Sequence, residues 1–385
     1  MELQSYRAED LFEWVTKEGH DFTLLDVRNN EEFGRFKVEG PYLSKMINIP
    51  YVEFIEIEDE SVAKVQVPKN EPIRIVCAKE GSAKYVGEIL VNNGWTDVRY
   101  LAGGIKTWGN MLAPKLVASE NGYKLYQFIR PGKASCSYGL IYDDEMVVFD
   151  PSRNIEFYQH FAAENGCNLI KTFETHLQAD YISGSRKLAE NAGAQIVGHQ
   201  NDFQGAAFDY KALADQEVFH FSEGGPEIKA IHMPGHTPGS TSYLIDNKFM
   251  VTGDTVFILS IGRPDLGGKV DEWSKLLFNT LKTKIAELND DLIILPGHYI
   301  EWSEANVDQK FIDTLGSIKQ KNADIYGIEG EAEFTKFIKD NMRQQPPEYA
   351  QIRKVNAGLL DVDAEEQEIM DLGKNECAAS MYAAK

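Results

Sequence analysis

With 385 residues, 43% of them hydrophobic and 26% charged, the chain is long enough for two ordinary cores and has the composition of a globular protein. No apolar run approaches the length that spans a bilayer, and a formal charge of −21 disfavours nucleic acid and anionic membrane surfaces, both of which need a basic footprint. An anionic substrate must then meet a local positive site, such as a bound metal ion. The opening stretch MELQSYRAEDLFEWVTKEGHDF lacks the basic start, apolar core and small-residue cleavage site of a signal peptide, so a cytoplasmic location is expected. Cys77, Cys136, Cys167 and Cys377 are scattered without paired spacing, which suggests neither a disulfide framework nor a CxxC zinc site.

In chain order, FTLLDV reads as a strand, NEEFGRF as a charged helix, IRIVC as a strand and AKYVGEILVNNG as an amphipathic helix ending at Gly94; DVRYLAGGIKTWGN closes the unit. This alternation predicts a small parallel sheet covered by helices. A boundary is expected near NMLAPKLVAS, roughly residues 110–119, followed by consecutive strands KLYQFI, SYGLIY and EMVVFD. Helix IEFYQHFAAENG, strand LIKTFE, helix GSRKLAENAG and strand QIVGH come next, and further strands run through GSTSYLID and KFMVTGD. That mixture suggests two sheets with helices outside. Beyond about residue 305, DQKFIDTLGSIKQKN, EAEFTKFIKDNM and AEEQEIMDLG read as helices interrupted by QQPPEYA, a tail expected to pack on the second domain.

Four segments of the second domain place polar residues just past apolar strands, where loops gather at one sheet edge. THLQADYISG offers His176, Gln178, Asp180 and Tyr181; HMPGHTPGSTSYL offers His236 in a Gly/Pro turn; MVTGDT offers Asp254; ILPGHYIEW offers His298. In the first domain, Cys77 lies between an apolar strand and a helix, with Ala78, Lys79, Glu80, Gly81, Ser82 and Ala83 following it. Amides of that segment, the helix N-terminus, Lys79 and Lys84 would stabilise a thiolate. The bland alternative is a buried strand-end cysteine.

The motifs PGHTPGS, TGDT, GRPDL and PGH, in this order, resemble the metallo-β-lactamase fold and, within it, the glyoxalase II and persulfide dioxygenase branch, over roughly residues 120–330. LLDVRNNEEF, MINIP, the Cys77 loop and LAGGIKTWG resemble a rhodanese domain over about residues 1–112. The fold class expected is therefore α/β: a rhodanese-like domain (1–112), a metallo-β-lactamase αββα sandwich (113–330) and a helical C-terminal extension (331–385). The first resemblance implies a metal at one end of the sandwich. Two-metal members carry HxHxDH, whereas this chain has Gln178 and Tyr181 in place of two histidines, which argues against a dinuclear hydrolase. The persulfide dioxygenase pattern implies one Fe(II) per chain, held by His176, His236 and Asp254, a set of two imidazoles and one carboxylate. Asp180 and His298 then orient ligands or contact substrate, as does Gln178.

Tyr181 and Tyr299 either hydrogen-bond a sulfur or oxygen species or serve as packing residues. Arg263 either neutralises a substrate carboxylate or, as the favoured reading, pairs with an acid such as Asp265. His20, His160, His199, His220 and His232 read as ordinary surface or core residues. Cys136 and Cys167 read as structural, and Cys377 as reactive only if the tail is mobile.

The rhodanese resemblance implies sulfur transfer through a Cys77 persulfide. The usual CxxGxRS loop is here CAKEGSAK and has no arginine, which weighs against thiosulfate as the preferred donor. The function expected is oxidation of a low-molecular-weight persulfide, such as glutathione persulfide, by O2 to sulfite and thiol, with sulfite or thiosulfate exchanging sulfur at Cys77. A mononuclear-zinc thioester hydrolase and a sulfur carrier with an idle metal domain are the competing expectations. PPEYAQIRKVNAGLLDVD resembles the linker-like tail of larger fusion proteins of this kind. Exposed apolar helical faces in the tail point to a homodimer or tetramer.

Overall fold

The computed structural model describes residues 3–379 and divides them into two compact units. The first comprises residues up to Met111 together with Arg130–Lys133 and Leu372–Lys374; the second holds the remainder, including almost all of the C-terminal extension.

In the first unit five parallel strands run in the spatial order Gln4–Tyr6, Val98–Leu101, Ile73–Val76, Thr23–Asp26 and Met46–Asn48. Two of the three inner strands, TLLD and IRIV, are buried at every position, as expected of parallel strands covered on both faces. Helix Glu80–Asn92 turns Ala83, Val86, Ile89 and Leu90 inward at helical spacing onto Leu25, Ile73 and Ile75. Within the LLDVRNNEEF motif, Arg28 donates to both carboxylate oxygens of Asp26 and to the carbonyl of Phe36, so this buried charge pair fixes the chain leaving the strand.

The second unit is built on two sheets. One has seven strands, in the order Lys211–Leu213, Gln195–His199, Asn168–Phe173, Glu145–Phe149, Ser135–Tyr142, Tyr123–Arg130 and Ala113–Glu120. The other has six, in the order Val218–Phe221, Gly224–His232, Thr241–Ile245, Phe249–Gly253, Ile293–Pro296 and Asp313–Thr314. Their facing sides meet through aromatic rings: Phe149 and Phe173 pack on Tyr243 with centroids 5.4 and 5.0 Å away, and Phe173 meets Phe219 edge-on at 5.1 Å. The Tyr138 hydroxyl donates across to the carbonyl of Pro296 at 2.7 Å, and that of Tyr243 to the carbonyl of Glu174 at 2.9 Å, so both buried phenols are satisfied. Helices Ile155–Glu164 and Ser185–Ala192 lie on the seven-stranded sheet, and Leu315–Lys321 adjoins the edge strand of the other.

Three local expectations are corrected. The segment placed at the domain boundary contains strand Ala113–Glu120, paired antiparallel with Tyr123–Arg130. Only the second half of DQKFIDTLGSIKQKN is helical: Asp313–Thr314 pairs with Ile293–Ile294, and the Thr314 hydroxyl accepts from the Ser317 amide to start the helix at Leu315. The break at QQPPEYA is shorter than expected: its EYA already belongs to helix Glu348–Asn356, which begins immediately after Pro347. That helix and Ala364–Met370 bury Ile352, Val355 and Met370 against Ile182, beside the first histidine loop.

No helix among the described residues is long and apolar enough to cross a membrane.

Candidate metal centre and sulfur site

Strand direction decides which ends converge. Phe249–Gly253 and Ile293–Pro296 are parallel, so Asp254 and His298, each just past a strand, emerge at the same edge. Gly224–His232 is antiparallel to Thr241–Ile245, itself antiparallel to Phe249–Gly253, so the turn carrying His236 leaves at that edge too. His176 arrives from the facing sheet, beyond strand Asn168–Phe173, and the Thr241 amide donates to the Thr175 carbonyl at 2.8 Å to tie the two edges together.

There His176 Nε2, His236 Nε2 and Asp254 Oδ2 converge. Asp254 Oδ2 stands 3.8 Å from the first nitrogen and 3.4 Å from the second. All three atoms are buried, and none has a hydrogen-bond partner among the described residues. Orphaned polar atoms of this kind are costly to bury unless a cation completes them. The donor set suits a metal ion, and the other ring nitrogens are already committed. His236 Nδ1–H donates to the carbonyl of Arg263 at 2.9 Å, which leaves Nε2 with its lone pair. Thr175 Oγ1 lies 2.8 Å from Asp150 Oδ2 and 2.9 Å from His176 Nδ1. His176 Nδ1 is thus engaged by Thr175, and Nε2 is the ring nitrogen left facing Asp254. Burial and the nearby Glu174 push the Asp150 carboxyl well up, and the amide and hydroxyl of Thr175 oppose that shift. Burial also drives the two histidines toward the neutral, ligating form, His176 down to about 3.

His298 plays a different part. Its Nδ1 is 2.7 Å from Asp254 Oδ1 and its Nε2 2.9 Å from Asp180 Oδ2. Burial opposes a charge on this ring, but Asp180 and Asp254 outweigh it and push the imidazole up to about 10, so it is a cation bridging two carboxylates. The glycines around these loops leave room for nothing larger. A Cβ on Gly262 would run into the Asp254 carbonyl and come within 2.8 Å of His236 Nδ1, and one on Gly253, at φ +51°, would strike Thr175.

The other candidates fall into place around this core. Gln178 is buried, and its amide nitrogen lies 3.5 Å from His176 Nδ1. Its main-chain carbonyl, like that of Tyr181, accepts from Asn356 Nδ2 of the C-terminal extension at 2.9 Å. The Tyr181 hydroxyl donates to the carbonyl of Asp150, and the Tyr299 ring stacks on Phe311 with centroids 3.5 Å apart, arrangements that fit packing. Arg263 makes the structural pair: it grips both oxygens of Asp265 at 2.7 and 2.9 Å and also donates to the carbonyls of Glu376 and Arg343.

Asp150 and Asp202, which the sequence reading did not single out, matter here, and so does Cys377. Asp150 ends strand Glu145–Phe149, the same kind of strand-end position that marked the histidines. Asp202 accepts from the Leu177 amide, the Thr237 hydroxyl and the Gly239 amide, clamping both histidine loops. Cys377 is fully buried rather than carried on an exposed, reactive tail. Its sulfur, an oxygen of Asp180 and a nitrogen of His298 lie within 4.8 Å of one another. No spacing rule announces this contact.

In the first unit, Cys77 is 3% exposed. Only Cys77, Ala78 and Lys79 lie between strand Ile73–Val76 and the helix; Glu80, Gly81, Ser82 and Ala83 form the helix's first turn. Burial pushes the Cys77 thiol up, while the amides of Lys79 and Ala78 and the hydroxyl of Ser82 bond the sulfur and oppose that shift. Lys84 pairs with Glu80 at 2.8 Å instead of facing the sulfur, and Glu80 also accepts from the Gly103 amide.

Comparison with known proteins agrees with this division. Residues 8–111 match the Rhodanese-like domain family and residues 131–298 the Metallo-beta-lactamase superfamily. A hydroxyacylglutathione hydrolase of Rhizobium etli is 29% identical over 175 residues, which make up 45% of this chain and 65% of that protein, so the chain spans less than two thirds of that relative. The hydroxyacylglutathione hydrolase GloC of Haemophilus influenzae is 29% identical over 187 residues, 43% of this chain and 84% of its own. Among solved structures, a metallo-beta-lactamase from Staphylococcus aureus superposes with a TM-score of 0.55 at 26% identity, covering 63% of this chain and 74% of that one. ETHE1 from Myxococcus xanthus superposes at 0.53 and 24% identity over 61% of this chain and 99% of its own, a likeness of fold. The chain thus joins a rhodanese-like domain to a domain of the metallo-beta-lactamase superfamily.

Proposed function

We propose that the second domain is a persulfide dioxygenase that holds one Fe(II) on His176, His236 and Asp254, and that the first domain carries sulfur on Cys77. The observation that supports this most is the triad itself: His176 Nε2, His236 Nε2 and Asp254 Oδ2 are buried, lie within 4.8 Å of one another and have no hydrogen-bond partner among the described residues. Gln178 and Tyr181 stand where two-metal members of the fold carry imidazoles, and neither supplies one to a second metal. Two histidines and one carboxylate are the donor set of non-haem iron oxygenases.

Iron bound there would supply the redox chemistry, with the coordination positions left by three protein ligands open to reactants. The protein's own contribution is orientation and exclusion of water. Arg263 through its carbonyl, and Asp150 through Thr175, hold the two rings with Nε2 inward, while His298 pins one oxygen of Asp254 so that the other faces the histidines. The net reaction is RSSH + O2 + H2O → RSH + SO3²⁻ + 2H⁺, in which dioxygen takes four electrons from the sulfane sulfur. At Cys77 the exchange is Cys–S–SH + SO3²⁻ ⇌ Cys–SH + S2O3²⁻: one S–S bond breaks and another forms without net oxidation.

Oxygen consumption by anaerobically Fe(II)-loaded protein given glutathione persulfide tests the reading. Uptake with sulfite release, abolished in His176→Ala and retained in Cys77→Ser, is expected. No uptake at full iron occupancy would remove it. A second reading, a zinc-dependent thioester hydrolase, draws on the hydroxyacylglutathione hydrolase relatives; it requires oxygen-independent release of thiol from an acylglutathione by the zinc-loaded protein.

A further inference from the structure

We propose that the cavity between the first histidine loop and the C-terminal extension is a binding site for a small primary amine with an apolar body, separate from the metal centre.

The cavity has a volume of about 250 Å³ and lies wholly within the second unit. Pockets for drug-sized molecules hold roughly 300–1,000 Å³, so its occupant is small. One wall is the strand end and loop on either side of His176, from Glu174 to Ser183, and helix Ser185–Ala192 forms a second. The extension closes it with Val355, Asn356, Leu360 and Val362. Asn356 fixes that closure: its side-chain oxygen accepts the Ser183 amide at 2.9 Å, and its nitrogen donates to the carbonyls of Gln178 and Tyr181. None of His176, His236, Asp254, Asp180 or His298 lines the cavity.

Its polar groups divide into those the protein satisfies and those it leaves. Arg153 is held by Asp371 at 2.8 Å and stands 3.8 Å from Glu368. Arg186 donates to the carbonyl of Val355 at 3.3 Å and places its guanidinium over the Phe208 ring. Glu174 Oε1 receives the hydroxyls of Ser183 and Ser185. Glu174 Oε2 and the Gln178 side-chain oxygen differ: both sit on residues only 2% exposed, and neither has a hydrogen-bond partner among the described residues. Burying two acceptors without donors is costly, so the demand is for N–H or O–H groups. A primary ammonium supplies three. With Glu174 it makes the same ion pair whichever of the two brings the proton. Leu177, Ile182, Ile196, Phe203 and Phe208 offer apolar walls to the rest of the molecule. At the exposed rim Glu190 and Asp361 outnumber Lys187, and the chain's formal charge of −21 likewise draws in a cation rather than an anion.

Isothermal titration of the full-length protein, as purified, with phenethylamine, phenethyl alcohol and phenylpropionate tests the head group on one apolar body. One amine per chain is expected, with the alcohol weaker by about tenfold or more and no measurable binding of the carboxylate. Glu174→Gln should weaken the amine by a similar factor. Leu360→Trp, which fills the cavity from the extension and leaves Glu174 in place, should abolish binding without changing the circular dichroism spectrum. In a wild-type crystal soaked with the amine, its nitrogen should lie within hydrogen-bond reach of Glu174 Oε2, a readout that does not depend on either variant folding. No binding of the amine, equal binding of the three probes, an amine held as tightly by Leu360→Trp as by wild type, or a soaked crystal with water alone at the two oxygens would each overturn the site.

Discussion

His298 bridges Asp180 and Asp254, with ring nitrogens 2.9 and 2.7 Å from the two carboxylates in a fully buried site. Two anions confined without water repel one another, and the imidazolium between them turns that repulsion into attraction. The same contact fixes the rotation of the Asp254 carboxylate and therefore where its second oxygen points.

Breaking this bridge on one side leaves an uncompensated buried charge. His298→Gln is expected to destabilise the second domain by about 3–5 kcal/mol, because Asp180 and Asp254 then face each other without a cation. Asp180→Asn alone should also cost stability, since it removes half of the imidazolium's compensation. Combined, the two changes should cost less than their sum by about 0.5–3 kcal/mol, since the second removes a charge the first left unpaired. Denaturant unfolding of the four proteins measures the coupling, and strict additivity would show that the bridge is not the unit described.

A pH effect is expected away from the metal. The rings of His199 and His232 stack with centroids 4.0 Å apart and 5° between planes, and His199 Nδ1 accepts the Asn201 amide. Burial and then the neighbouring imidazole push His199 down to about 4, from an ordinary value of 6.5. The unfolded chain therefore takes up a proton as pH falls through 6.5, while the folded chain resists until about 4. The stability from this residue is fully present above the upper value and lost between the two. Wild type should lose more unfolding free energy between pH 7 and pH 5 than His199→Asn, whose side-chain oxygen can still accept the Asn201 amide. Equal losses in the two proteins would refute the assignment.

Much of this architecture was legible in the sequence because burial imposes patterns. TLLD and IRIV are buried at every position because parallel strands are covered on both faces, and His176, His236, Asp254 and His298 each follow a strand whose end the pairing brings to one edge. Boundaries were harder. The break at QQPPEYA is three residues too long, because proline's fixed φ also suits a helix start just after it, and the Thr314 cap lies inside a segment with apolar periodicity. Asp202 went unnoticed and the burial of Cys377 was not foreseen, because both depend on contacts between segments far apart in the chain. Asp202 meets residues 25 to 37 positions away, and Cys377 lies far beyond the last histidine motif.

Asp202 gives the sharpest test of the idea that the histidine loops are held as a pair. Its carboxylate receives the Leu177 amide at 2.9 Å, the Thr237 hydroxyl at 2.6 Å and the Gly239 amide at 2.7 Å, so one side chain joins the residue after His176 to the residues after His236. It touches neither ring, and its effect must pass through loop geometry. Asp202→Ala frees both loops and is expected to weaken metal binding by about 10–100-fold, the range found when groups supporting metal ligands are removed. Asp202→Asn keeps one acceptor oxygen for these donors and should fall between the two. Competition against a chelator of known affinity gives the numbers, with circular dichroism confirming that the sheets remain. An alanine variant that folds and binds metal as tightly as wild type would mean that each histidine loop holds its own shape without the clamp.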